Sequence, residues 1–437
     1  MKRCLLLFSL LLSPLVASGM DLLDTYHRAF AHDADFAAAR AEHLAGQEAV
    51  VQGRAGLLPE IVLGADARRN RTDPRGQPRD NYDSTAWSVQ LVQPVFRMQN
   101  FVSAQHGALR TELAGVFFEQ AHQDLMLRVA EAYFGVLSAQ EVLAAQKRFR
   151  DAAAEQRERA RASFEVGLVT VADVHEAQSN FDLAQAELIA AESALDIAGD
   201  TLARIVGGAP GELASLREGV AFVVPEPADP QRWVESATEG NLGVLVGRLQ
   251  QEIAMREVER ARAGHLPTLD LVASHGASNH QGGADRPRTD ASMLGLEFNL
   301  PLYSGGRVSS VTRENVALKE RADAELESAR RASALAAREA WVGVTSGLAR
   351  IHALEAAEVS SQSSLESDRL GYEVGLRLNV DVLNSLSRLA ETQRELAGAR
   401  YETLLSQLRL KAAAGTLSQA DLEAVNELLE TQPTVQP

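Results

Sequence analysis

The chain spells one architectural unit twice. "FEVGL" at 164–168 returns as "YEVGL" at 372–376, 208 positions later (372 − 164). The same offset carries "AGLLP" (55–59) onto "AGHLP" (263–267), "EAYFGV" (131–136) onto "EAWVGV" (339–344), Asp173 onto Asp381 and Gly207 onto Gly415. A single indel shifts it to 207 where "QPVF" (93–96) meets "LPLY" (300–303). Register held over such a span marks a tandem duplication, and two copies are too few to stack as a solenoid. Two similar halves of one larger object are therefore expected.

Proline placement divides each half. None of the 14 prolines falls in 95–209 or in 302–432, and both stretches are rich in Ala, Glu, Gln, Arg and Leu. Proline costs a helix interior ~3 kcal/mol, so its absence predicts long helices. Each is broken once. Gly167 and Gly375 suit the left-handed position that ends a helix. A new helix can start at once, with Thr170 three before Asp173 as a capping box and Asn379 as the cap in the second copy. The reading is a helical hairpin per half, with arms of roughly 60 residues, or ~90 Å. Leu125, Val129, Ala132 and Val136 supply a packing stripe.

Between the helices the period drops to two. Ile61, Leu63, Ala65 and Ala67 alternate with polar or small residues, as do Trp87, Val89 and Leu91; Leu269, Leu271 and Ala273, then Leu294, Leu296, Phe298 and Leu300, do the same in the second half. Strands are predicted over 60–70, 85–93, 268–278 and 292–300, joined by polar loops at 70–84 and 279–291. Pro59 and Pro267 stand at the helix-to-strand junctions, Pro94 and Pro301 at the strand-to-helix junctions.

The N-terminus, with Lys2 and Arg3 before an apolar run and small residues at Ala17 and Gly19, reads as a secretory signal peptide over 1–19. Cys4, the chain's single cysteine, lies ahead of that run, so disulfides and thiolate metal sites are excluded from the exported chain. A net charge of −16 argues against nucleic-acid binding, which needs basic surface. After the leader no run of 18 apolar residues occurs, leaving either a protein outside the membrane or a β-barrel. Four strands cannot close a barrel, for which about eight is the smallest single-chain number. Strands that cross a membrane must then be pooled from several copies; the rival reading is an exported coiled-coil scaffold. "HEAQS" at 175–179 fails the zinc-protease pattern at Ser179, and GxSxG, GxGxxG and phosphate-loop motifs are absent. No enzyme, metal or cofactor is indicated.

In "AGHLPTLDLVAS" (263–274), "FEVGLVTVADV" (164–174), "YEVGLRLNVDVLN" (372–384) and "AAAGTLSQADLEAVNELL" (412–429) the chain resembles the TolC family of outer-membrane channel proteins. The resemblance covers nearly the whole exported chain. It implies a mixed α and β membrane protein of a Gram-negative outer membrane: a homotrimeric α-helical periplasmic barrel continuous with a shared 12-stranded transmembrane β-barrel, four strands per chain. It divides the chain into repeat 1 (20–207), an inter-repeat segment (208–231), repeat 2 (232–415) and a C-terminal segment (416–437), the two segments forming an equatorial belt. The implied function is a passive exit duct for multidrug efflux or type I protein secretion. A periplasmic adaptor and an inner-membrane ABC, RND or MFS transporter would open it, with outer-membrane lipid around the barrel. Asp381 matches the first aspartate of the family's pore constriction, and Asn384 stands where the family has a second. Tyr372 and Arg377 match gate-latch residues of the second hairpin, Asp173 and Gln156 their partners on the first; Ala172 replaces a latch threonine.

Overall fold

The computed structural model describes residues 20–73, 80–217, 219–281 and 288–430; the leader, parts of both polar loops and residues 431–437 lie outside the described residues. Repeat 1 runs α1 (Leu22–His32), α2 (Ala34–Ala55), β1 (Glu60–Thr72), β2 (Asp80–Phe96), α3 (Met98–Glu165) and α4 (Val171–Val206). After a short strand β3 (Ser215–Leu216), repeat 2 restates the series as α5 (Pro230–Gly240), α6 (Leu242–Arg262), β4 (Thr268–Gln281), β5 (Thr289–Asn299), α7 (Arg307–Glu373) and α8 (Asn379–Ala413). Helix α9 (Gln419–Asn426) and strand β6 (Leu429–Glu430) follow.

The hairpin arms are unequal, which corrects the equal arms read from the sequence. α3 and α7 hold 68 and 67 residues, whereas α4 and α8 hold 36 and 35. Glycines stop the returning arms halfway. Gly207 (φ 77°) and Gly415 (φ 72°) take the left-handed conformation that L side chains avoid. Neighbours also crowd both. A Cβ on Gly207 would meet the His32 Cβ at 2.7 Å, and one on Gly415 would meet the Gly240 carbonyl oxygen at 2.0 Å. Each short arm thus ends against the last residue of α1 or α5. Beyond that point α1–α2 and α5–α6 take over as partners of the long helices, and α4 together with α1 and α2 nearly equals α3 in length.

A second correction concerns the start of α8. Leu378 occupies the N-cap and Asn379 is already helical. Leucine offers no acceptor, so only the reciprocal half of the box forms: the Leu378 N–H donates to Asp381 Oδ2 at 3.0 Å. In the first copy Thr170 and Asp173 form the complete box.

The halves meet at mid-height. Tyr133, Phe134, Leu125 and Val129 of α3 are buried with Leu22 and Tyr26 of α1, Leu202 and Ile205 of α4, Tyr401 and Leu404 of α8, and Leu422 of α9. The Tyr133 hydroxyl donates to the Ala214 carbonyl at 2.7 Å, anchoring the inter-repeat segment to this core. β3 pairs antiparallel with β6, which brings that segment against the C-terminal one.

Candidate channel wall and periplasmic tip

At one end of the long helices β1, β2, β4 and β5 form a single antiparallel sheet in that order, with β2 and β4 joining the repeats. Direct cross-strand partners share a face. Three rows therefore lie on one side: Ile61–Leu91–Ala273–Leu294, Leu63–Val89–His275–Ser292 and Ala65–Trp87–Ala277–Asp290. Leu269 and Phe298 extend that side toward the helices. The opposite side carries Gln90 and Ser274, Ser88 and Gly276, and Asp66 and Ser278. Ile61, Leu63, Leu294, Leu296 and Phe298 are 64–75% exposed, so no core of described residues covers the apolar face. Two of its polar members meet, His275 Nδ1 and Ser292 Oγ lying 2.8 Å apart with Trp87 edge-on to the imidazole. No helix among the described residues is long and apolar enough to cross a membrane.

Pro59 and Pro267 immediately precede β1 and β4, and Pro301 lies two residues past β5. Pro94 is inside β2, which continues to Phe96; the pairing with β4 shifts register between Pro94 and Phe96, and such a bulge tolerates a residue without an N–H. At this junction Arg97 reaches Asp270 of β4.

The other end carries both turns. Gly167 and Gly375 have φ of 77° and 79°. Leu365, Val382, Leu386 and Leu389 are buried there, with Tyr372 and the α3 residues Phe149 and Ala152 packed on them, so the second hairpin leans on the first. Gln156 is buried on α3, and its Oε1 has no hydrogen-bond partner among the described residues. Asp173 is occupied by its own turn: its Oδ2 accepts from the Thr170 N–H and hydroxyl, both at 2.7 Å, and these hold its carboxyl below the usual range. Asp381 is half-buried and Asn384 exposed. Within the chain Arg377 pairs with Asp368, Nε to Oδ1 at 3.3 Å, and not with Asp173.

Asp368 has no place in the sequence reading. Buried at 8% exposure, it accepts the Ser385 hydroxyl at 2.5 Å, and Ser385 in turn accepts from Arg388 Nη2 at 3.1 Å. A signal was available: 368 continues the apolar stripe of Leu365 and Tyr372, and 385 that of Val382 and Leu389. A polar residue on each facing stripe suggests a pair. Higher up, two further bridges join α7 to α8, Arg350 to Glu395 (3.0 Å) and Arg400 to Glu355 (3.1 Å).

A partial sheet with one lipid-compatible face, continuous with helices about 100 Å long, defines a protomer of an outer-membrane channel with a long helical extension. The family model for outer membrane efflux proteins matches residues 25–208 and 233–416, once per repeat, and the chain belongs to that family. It is 33% identical over 435 residues to outer membrane protein TolC of Escherichia coli strain K12, covering 97% of this chain and 87% of TolC. It is 34% identical over 422 residues to the alkaline protease secretion protein AprF of Pseudomonas aeruginosa, covering 94% and 87%. Among solved structures the CmeC outer membrane channel of Campylobacter jejuni superposes with a TM-score of 0.79 at 16% identity, covering 93% of this chain and 89% of CmeC. The protein is thus a TolC-family channel of the efflux or type I secretion class, a non-enzymatic transport protein of the Gram-negative outer membrane whose helical portion lies in the periplasm.

Proposed function

We propose that three copies of this chain close one 12-stranded barrel and act as a passive exit duct. An adaptor and an inner-membrane transporter of the ABC, RND or MFS type would engage and open its periplasmic end. The observation that carries this is the sheet itself. Its apolar face is exposed, and the outer edges of β1 and β5 have no strand partner among the described residues. Open edges are not tolerated in lipid, and four strands fall short of closure. Copies that join β5 of one to β1 of the next satisfy both requirements. The described parts of segments 208–231 and 416–437 then form a belt at mid-height, supported by the β3–β6 pairing.

At the tip, Asp381 faces the narrowed mouth with Asn384 one turn on. Tyr372 and Arg377 of the second hairpin work against Asp173 and Gln156 of the first as a breakable latch. An arginine that grips a carboxylate through hydrogen bonds suits such a contact, and the largely exposed Arg377 is free to change partners. Planar-bilayer recording of the purified protein tests the reading. A gated channel gives small conductance steps that grow in Arg377→Ser, whereas a scaffold gives none. The names of the relatives, one of them a protease secretion protein, support protein secretion alongside efflux as the cargo class; deleting the gene and assaying toxin export and drug sensitivity in parallel separates the two.

A further inference from the structure

We propose that Asp368 is a gate-positioning residue: a second acceptor for Arg377, fixed inside the second hairpin, that competes with the first hairpin for the same guanidinium. The inference rests on the latch reading above.

The two partners are built differently. Asp368 is anchored: its side chain is 11% exposed, and its Oδ2 is taken by Ser385, itself 1% exposed. Arg377 is free to leave: its side chain is 57% exposed, and its Nε stands 3.3 Å from Asp368 Oδ1. A fixed acceptor beside a mobile donor is a resting place, not a permanent tie.

Gly371 shapes that resting place. The Leu376 and Arg377 N–H groups both donate to the Gly371 carbonyl, at 2.8 and 3.1 Å, which folds the turn back over α7. Arg377 then lies across the glycine, and a Cβ there would fall 2.6 Å from Arg377 Cγ. The missing side chain at 371 leaves the track along which Arg377 reaches Asp368, one helical turn earlier. Asp173, the latch partner on the first hairpin, already accepts two hydrogen bonds from Thr170. Arg377 is therefore shared between two carboxylates, and each turn of the balance toward Asp368 loosens the latch.

The competition fixes signs that a merely structural role does not. In single-channel recordings of the full-length protein, Arg377→Ser lengthens openings. Asp368→Asn removes the competitor and releases Arg377 to the first hairpin, so openings shorten about two- to fivefold, the range of a half-exposed ion pair. Gly371→Ala keeps every charge but pushes Arg377 off its track, and it shortens openings too. Asp368→Asn combined with Arg377→Ser matches Arg377→Ser alone. Longer openings in Asp368→Asn, an equal effect of that substitution with and without Arg377, or loss of assembly in Asp368→Asn would each overturn the proposal and make Asp368 a brace of the hairpin. If Arg377→Ser opens the channel while Asp368→Asn leaves it unchanged, the competition falls and the latch stands. Wild-type openings in Arg377→Ser remove both.

Discussion

Arg97, at the head of α3 in the first repeat, forks onto Asp270 on β4 of the second, Nε donating to Oδ1 at 2.8 Å and Nη2 to Oδ2 at 2.5 Å. The pair ties the repeats together where sheet becomes helix. Its halves are unequally wet, the Asp270 side chain being 7% exposed and that of Arg97 41%. Arg97→Ala strands a buried carboxylate and is expected to cost about 2–3 kcal/mol. Asp270→Asn leaves an arginine that water can reach and is expected to cost about 1 kcal/mol. Denaturant unfolding of the two variants checks the order, and equal losses would show that burial of the acid does not set the cost.

The apolar sheet face makes a prediction by side. Leu63, 72% exposed, faces outward beside Val89, while Ser274 lies on the other face beside Gln90. A lysine on the lipid side of a barrel costs about 2–4 kcal/mol at the bilayer midplane. Leu63→Lys is expected to impair folding into lipid vesicles, and Ser274→Lys to leave it near wild type. The readout is the fraction of protein that becomes protease-resistant on mixing with vesicles. Equal impairment at both sites would reject the assignment of faces.

Asp33 stabilises the junction of α1 and α2 in a pH-dependent way. It caps α2 through the Phe36 N–H (2.7 Å) and accepts both Nη groups of Arg128, at 3.0 and 2.9 Å. The Arg128 guanidinium holds its carboxyl below the ordinary 3.8. The folded chain therefore keeps this charge to lower pH than the unfolded chain does. The resulting stabilisation is complete well above pH 4 and is lost as pH falls through the lower folded value. Asp33→Asn is expected to lower stability by about 1–3 kcal/mol at pH 7. The gap to wild type should narrow in thermal melts taken from pH 5 down to pH 3; a gap that stays constant would show that the carboxylate's charge contributes nothing.

Much of this fold is legible in the sequence because its signals are local and repeated. The duplication, the period-two segments around Leu63, Val89 and Leu294, and the proline-free runs each follow from neighbours within a few residues. What the sequence hides depends on pairs far apart. Gly207 and Gly415 are visible as copies of one position, yet their role as helix stops is set by His32 and Gly240 pressing on them. The cap of α8 is misread because Asn379 is a better N-cap residue than Leu378, and the turn fixed by Gly371 and Gly375 starts the helix one residue too early for it. Asp368 escapes notice because periodicity gives a residue's face but not what it meets, and its partner Ser385 lies across the turn.

Asp381 is where the fold's capping rule and the channel's charge are hardest to separate. It accepts the Leu378 N–H at 3.0 Å, an ordinary task for a carboxylate in a helix's first turn. Three copies around an axis would also bring like charges together: at ~6 Å and an effective dielectric of about 20, each pair repels by ~3 kcal/mol before salt. Such a ring favours cations, and with Asn384 in the next turn it holds one carboxylate per chain instead of two. Asp381→Ala is expected to lower cation preference, and Asn384→Asp to raise it, read as the reversal potential under a salt gradient across a planar bilayer. Alanine also removes the first-turn carboxylate that accepts the Leu378 N–H, a loss of about 0.3–1 kcal/mol, so a disturbed tip could imitate a charge effect. Asp381→Asn keeps an acceptor oxygen for Leu378 and discards only the charge. If the ring sets selectivity, its reversal potential shifts as far as that of Asp381→Ala; a wild-type value would leave Asp381 as a helix cap alone.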